Sequence, residues 1–157
     1  MDKFKELKEK VIDWGKARGL YHPTDGATPE SQYLKFLTEI GELADALLKQ
    51  DDAKIKDAIG DCMVCLIAKL ELEGNKHYSE ELIEKEIYLY ENNHKVFNIS
   101  HILSINTDFY HSSQSLAMLL VIEKRLGFYY CECLEIAYNE IKDRKGKMIN
   151  REFIKEV

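Results

Sequence analysis

Apolar residues recur every three or four positions along most of this chain, the signature of amphipathic helices rather than strands. The first run predicts a helix from about Lys3 to Arg18, with Phe4, Leu7, Val11 and Trp14 on one stripe and Gly19 as its stop. His22, Pro23, Asp25, Gly26 and Pro29 then make a loop, which holds both prolines of the chain. Helical periodicity returns from Glu30 to Gln50. Asp51 and Asp52 supply a tight turn and the N-cap of a third helix, which reaches about Leu72 and is closed by Gly74 and Asn75. A fourth helix is predicted to begin at Ser79, with Glu80 and Glu81 favouring its positive end, and to fade near Asn92 and Asn93. From His94 to His111 the apolar residues fit no single period, which predicts an irregular or weakly helical connection. Helix resumes from about Ser112 to Leu126, is interrupted at Gly127 and continues to about Lys142. The tail GKMINREFIKEV reads as a short hairpin or extended arm. The expectation is one all-α domain, a helical bundle with an insertion at about residues 72–112 and a short extended tail.

Projected at 100° per residue, the second helix places Gln32, Lys35, Glu39 and Glu42 on one narrow stripe. Leu37, Ile40, Ala44, Leu47 and Leu48 fall roughly opposite and read as its packing face. On the third helix Asp57 and Asp61 share a face, while Ile55, Ile59, Cys62, Leu66 and Leu70 form the apolar side. The short turn between them predicts antiparallel neighbours, which could bring four carboxylates together. Such a cluster is unfavourable unless protons or cations neutralise it, and hard oxygen donors suit Mg²⁺ or Mn²⁺ better than zinc. The same acids also read as a solvated helix face partnered by Lys35, Lys54 and Lys56, the ordinary state of surface helices.

Composition narrows the partners. The 157 residues, 45% of them hydrophobic, suit a single domain with a real core. Lys and Arg number 22 against 28 Asp and Glu, a net charge of −6, which argues against general affinity for nucleic acid polymers or anionic membranes. A polyphosphate ligand would need a metal or a local basic cluster. Lys142, Arg144, Lys145 and Lys147 are the densest such cluster; they could meet phosphates or complement the negative end of the last helix, with Gly146 as its stop. No apolar run approaches the ~18 residues of a membrane span, and the start MDKFKELKEKV does not read as a signal peptide. The four cysteines, at 62, 65, 131 and 133, are expected as reduced thiols in a cytoplasmic protein. As a four-thiolate zinc site they lack knuckle-like loops, and Cys62 lies on an apolar side. His22, His77, His94, His101 and His111 form no His-x-x-x-His pair, and the absence of a GxxxxGK loop excludes a P-loop enzyme.

The segment Lys35-Phe-Leu-Thr-Glu-Ile-Gly-Glu-Leu-Ala, with Lys54-Ile-Lys-Asp-Ala-Ile-Gly-Asp61 after it, resembles the all-α nucleoside triphosphate pyrophosphohydrolases of the MazG-like superfamily. Their pattern is Glu-Glu-x-x-Glu on one helix and Glu-x-x-Asp on the next; Glu39, Glu42 and Asp61 match it, whereas Thr38 and Ala58 stand where the family has glutamate. Trp14-Gly-Lys-Ala-Arg18-Gly, Gln32-x-x-Lys35 and the stretch from Ala137 to Met148 extend the likeness, which covers about residues 11–72 and 113–155. The resemblance implies hydrolysis of a ribo- or deoxynucleoside triphosphate to the monophosphate and pyrophosphate, with Mg²⁺ or Mn²⁺ held by Glu39, Glu42, Asp57 and Asp61. Glu39 or Glu42 would take a proton from the attacking water. It implies substrate contacts from Trp14, Gln32, Lys35, Asn139, Lys142, Arg144 and Lys145, and a homodimer or homotetramer. Trp14 also reads as packing, and Tyr138 either as a nucleotide contact or as core beside Leu134 and Ile141. Thr38 and Ala58 support an alternative, a non-catalytic helical module that binds nucleotides or a protein. A relative acting on phosphoribosyl-ATP is a third reading.

Overall fold

The computed structural model describes residues 1–76, 78–92 and 111–156. Among them six helices run in the order α1 (Asp2–Ala17), α2 (Pro29–Lys49), α3 (Asp52–Leu72), α4 (Glu80–Asn92), α5 (Ser112–Arg125) and α6 (Glu132–Ile141). An antiparallel pair of strands follows, β1 (Gly146–Ile149) and β2 (Glu152–Lys155). The fold is all-α with a terminal hairpin. The predicted irregular connection, apart from His111, lies outside the described residues, as do His77, His94 and His101. No helix among the described residues is long and apolar enough to cross a membrane.

Local chemistry fixes the α2–α3 pair, which carries Glu39, Glu42, Asp57 and Asp61. Thr28 and Ser31 form a reciprocal capping box at the start of α2, with Pro29 in its first turn. Gln50 closes the helix in the left-handed region, and the Asp51 carboxylate accepts the Lys54 N–H at 3.2 Å to open α3. With so little chain between them, the two helices pack side by side along their length.

Helix α3 is the hub. It packs on α1, α2, α5 and α6, and buries Ile55, Ile59, Cys62, Met63, Leu66, Ile67 and Leu70, so its surface is apolar well beyond a single stripe. Gly60 lets α6 come close, because a Cβ there would strike the Cys133 carbonyl. Helix α6 starts later than the periodicity predicts. Gly127, at φ +81°, ends the preceding turn, and the fully buried Glu123 carboxylate accepts the N–H groups of Cys131 at 2.9 Å and Cys133 at 2.7 Å, fixing the new helix start.

The packing face of α2 differs from the predicted one. Phe36, Glu39, Ile40, Leu43 and Ala46 are buried, while Leu37 and Leu48 are exposed, Leu48 by 74%. The contact line lies between the two predicted stripes, along Phe36, Ile40 and Leu43. Glu39 therefore belongs to the buried side, and Leu34, Leu37 and Leu48 form an outward apolar stripe.

The hairpin is tied to the far side of the bundle. Met148 N–H donates to the Arg18 carbonyl at 2.9 Å and Arg151 N–H to the Asp25 carbonyl at 2.8 Å. The Arg18 guanidinium donates in turn to the carbonyls of Lys142, at 2.9 Å, and Arg144, at 2.8 Å. The first interhelical loop, the end of α6 and the hairpin thus become one wall.

Candidate active site

Between that wall and the α2–α3 pair lies a cavity of about 500 Å³. Trp14 and Phe153 give it an aromatic side, their ring centroids 6.2 Å apart and their planes tilted by 33°. The Trp14 indole N–H is buried without a hydrogen-bond partner among the described residues, and the Arg18 guanidinium lies 5.0 Å from the ring. Packing and this cation hold the ring at the cavity edge, so Trp14 both packs and borders open space. Gln32, Lys35, Asp61 and Arg144 line the same cavity.

Asn139, Lys142 and Lys145 are exposed and are not in its lining. Lys142 Nζ donates to the Asn139 side chain at 2.9 Å, so these two satisfy each other on the outer face of α6 and the turn after it. Of the basic cluster only Arg144 reaches the cavity from that segment. The residues that sequence reasoning missed are Arg151, Phe153 and Lys155 from the turn and β2, with Met148 directly across from Phe153. The signal for Phe153 and Lys155 was their spacing of two, which in a strand puts both on one side; Arg151 comes from the turn, which that periodicity does not place.

The acids form a seam along α2 and α3. Glu39 is only 9% exposed, and its pKa is pushed up to about 6, first by burial, then by Asp61, with Glu42 and Asp57 adding and Lys35 opposing. Asp61 is also raised, by burial and by Asp57, against the pull of Lys35 and Arg144. The Asp57 carboxylate has a buried Oδ1 with no hydrogen-bond partner among the described residues. On the other side of the seam a more open cleft of about 470 Å³ is lined by Thr38, Gly41, Glu42, Asp45, Lys54, Asp57 and Ala58.

The lysines expected to neutralise these acids are engaged elsewhere. Lys54 pairs with Asp51 at 3.8 Å and Lys56 with Glu132 at 2.6 Å. Of the lysines, Lys35 acts through space on Glu39 and Asp61, Arg144 acts on Asp61 as well, and Lys54 borders the cleft beside Glu42 and Asp57. Glu39 and Asp61 are thus partly desolvated, Asp57 carries an orphan oxygen, and the exposed Glu42 adds its charge to Glu39; a hard divalent cation suits oxygen donors of this kind. Side chains as placed do not converge on a single point: among the described residues no group of three or more His, Cys, Asp or Glu is arranged to hold a metal ion. The four cysteines are buried free thiols whose pKa values burial pushes up, which opposes the thiolate form that zinc requires.

No protein-family model matches the chain, and no solved structure does. Over 85 residues it is 28% identical to the uncharacterized 18.2 kDa protein in the rep-hol intergenic region of Haemophilus phage HP1 (strain HP1c1), an alignment covering 54% of this chain and 48% of that protein. The chain is therefore aligned to about half the length of this curated relative.

Proposed function

We propose that the protein is a metal-dependent nucleoside triphosphate pyrophosphohydrolase, releasing a nucleoside monophosphate and pyrophosphate. The observation that carries this reading is the double membership of Asp61. It belongs to the acidic seam with Glu39 and Asp57, and it lines the cavity that holds Trp14, Lys35 and Arg144. The proposed cation site would thereby adjoin a space with an aromatic side and cationic borders, the complement of a base joined to a polyphosphate.

Glu39, Glu42, Asp57 and Asp61 would hold Mg²⁺ or Mn²⁺, which when bound screens phosphate charge and acidifies water. Lys35 and Arg144 meet the phosphate oxygens, and Trp14 offers a ring face to the base. Hydrolysis adds water oxygen to the α-phosphorus and breaks its bond to the oxygen bridging to the β-phosphorus. Glu39 or Glu42 would accept the water proton, Glu39 from the buried side of α2 and Glu42 from its exposed side. A homodimer or homotetramer, built on the outward stripe of Leu34, Leu37 and Leu48, belongs to the same proposal.

The test is pyrophosphate release from a panel of ribo- and deoxynucleoside triphosphates with Mg²⁺, Mn²⁺ or EDTA. Release should require metal and fall by about two orders of magnitude in Asp61→Asn. No release from any nucleotide would refute the enzyme. It would favour a non-catalytic nucleotide-binding module, a reading that gains support from Thr38 and Ala58 lining the acidic cleft where carboxylates would complete it.

A further inference from the structure

The register Ile149↔Glu152 leaves a two-residue turn in the hairpin, and both of its residues have positive φ, Asn150 at 49° and Arg151 at 67°. Two positive φ values mark a type I′ turn, whose second position strongly favours Gly because a Cβ crowds the backbone there. A long side chain at that position is strained, and strain of this kind persists where another interaction offsets it. The hydrogen bond from Arg151 N–H to the Asp25 carbonyl is not that reason, since a glycine would make it equally well.

Only the guanidinium distinguishes arginine here, and Arg151 lines the cavity together with Lys35, Arg144 and Lys155. It is in no ion pair among the described residues. Four cations from α2, the segment after α6, the turn and β2 border one space against a single lining acid, Asp61. In a chain of net charge −6 this is a local reversal of sign. Arg144 is partly offset by Glu140 at 4.0 Å, and Arg144 and Lys35 act on Asp61, but Arg151 and Lys155 are in no ion pair among the described residues, so the fold supplies them no counter-charge, whereas an anion bound in the cavity would.

We propose that Arg151 is a substrate-binding residue whose guanidinium, with Lys35, Arg144 and Lys155, holds the polyphosphate part of the ligand in the cavity. The planar fork of arginine can donate to two oxygens of one phosphate, which suits a fixed turn better than a flexible point charge. The inference rests on the pyrophosphohydrolase reading for the identity of the ligand, but it requires only binding and no turnover.

Trp14 is the sole tryptophan and lines this cavity, so its fluorescence reports on occupancy. The experiment titrates inorganic tripolyphosphate into the full chain without divalent metal, for wild type, Arg151→Gly and Arg151→Lys, alongside thermal melts. The wild type should show a saturable change. Arg151→Gly should weaken Kd by about tenfold or more, the loss of a charge-assisted contact, with Tm unchanged or higher by about 2 °C because glycine fits the turn. Arg151→Lys should fall between the two. Equal affinity in Arg151→Gly, no saturable response in the wild type, or a loss of affinity matched by a fall in Tm would each overturn the proposal. Binding lost in Arg151→Gly, with no pyrophosphate released by the wild type from any nucleotide, would sink the hydrolase and leave the anion site standing. Hydrolysis with KM unaltered by Arg151→Gly would do the reverse.

Discussion

Replacing Glu39 by Gln removes a group whose folded-state pKa, about 6, lies above the ordinary value of 4.5, with burial the first cause and Asp61 the second. Between those two values the folded chain keeps a proton that the unfolded chain has released. Stability therefore falls as pH rises through this window and levels off above it. At about 1.4 kcal/mol per pH unit the full penalty is about 2 kcal/mol, and because solvent screens part of this carboxylate, about 1 kcal/mol is the figure to test. Gln has the shape of the protonated acid. Metal-free Glu39→Gln should match the wild type near about pH 4 and exceed it by about 1 kcal/mol near about pH 8, which is ~2–4 °C in Tm for a chain of this size. Melts followed by circular dichroism in EDTA at the two pH values measure this directly. Millimolar Mg²⁺ should then raise Tm of the wild type more than that of the variant, by ligand linkage. A variant less stable than the wild type at the higher pH, or one offset equally at both, would refute the argument that burial and Asp61 penalise this charge.

Two further outcomes follow from the fold. Gly60→Ala should lower stability by about 1–3 kcal/mol in urea titrations, because the new methyl meets the Cys133 carbonyl and α3 and α6 must separate; an unchanged midpoint would show that the helices are not so close. Leu48→Glu, at a site 74% exposed, should leave Tm within about 1 °C while converting an oligomer to a monomer in light scattering. An unchanged mass would remove this stripe of α2 as the contact between copies.

Helix ends were largely legible in the sequence because side-chain chemistry marks them: Pro29 at the start of α2, Asp51 before α3, and Gly19 and Gly74 with positive φ after helices, although the Thr28 cap of α2 was not among the signals read. The rotation of α2 was not legible. Leucines at 34, 37 and 48 compete on paper with Phe36 and Leu43, and periodicity within one helix cannot say which apolar side meets the neighbour. That ambiguity turned Glu39 from a surface acid into a buried one. At the candidate site, the Asp61–Lys35–Trp14 part followed from spacing and resemblance together. The hairpin contribution did not, since nothing local tells where a tail of two short strands will dock. Asn139, Lys142 and Lys145 stand outside this cavity's lining for a related reason: each step along α6 turns the side chain by about 100°, so only some members of a dense basic run face a given space.

The two halves of the site differ in how far apart their parts lie along the chain. The acids from Glu39 to Asp61 belong to one helical hairpin, whose contacts are local and close with little loop entropy. The opposite wall brings Phe153 against Trp14, residues far apart along the chain, so this contact closes a long loop at a much greater entropic cost. Within that hairpin Lys35 is the one cation that opposes the charge of Glu39 and Asp61, and Arg144 joins it on Asp61 only when the C-terminal segment docks. Dissolved divalent cations would relieve the remaining repulsion as the hairpin closes, before the distant wall is in place, acting on the rate of folding as well as on the finished site.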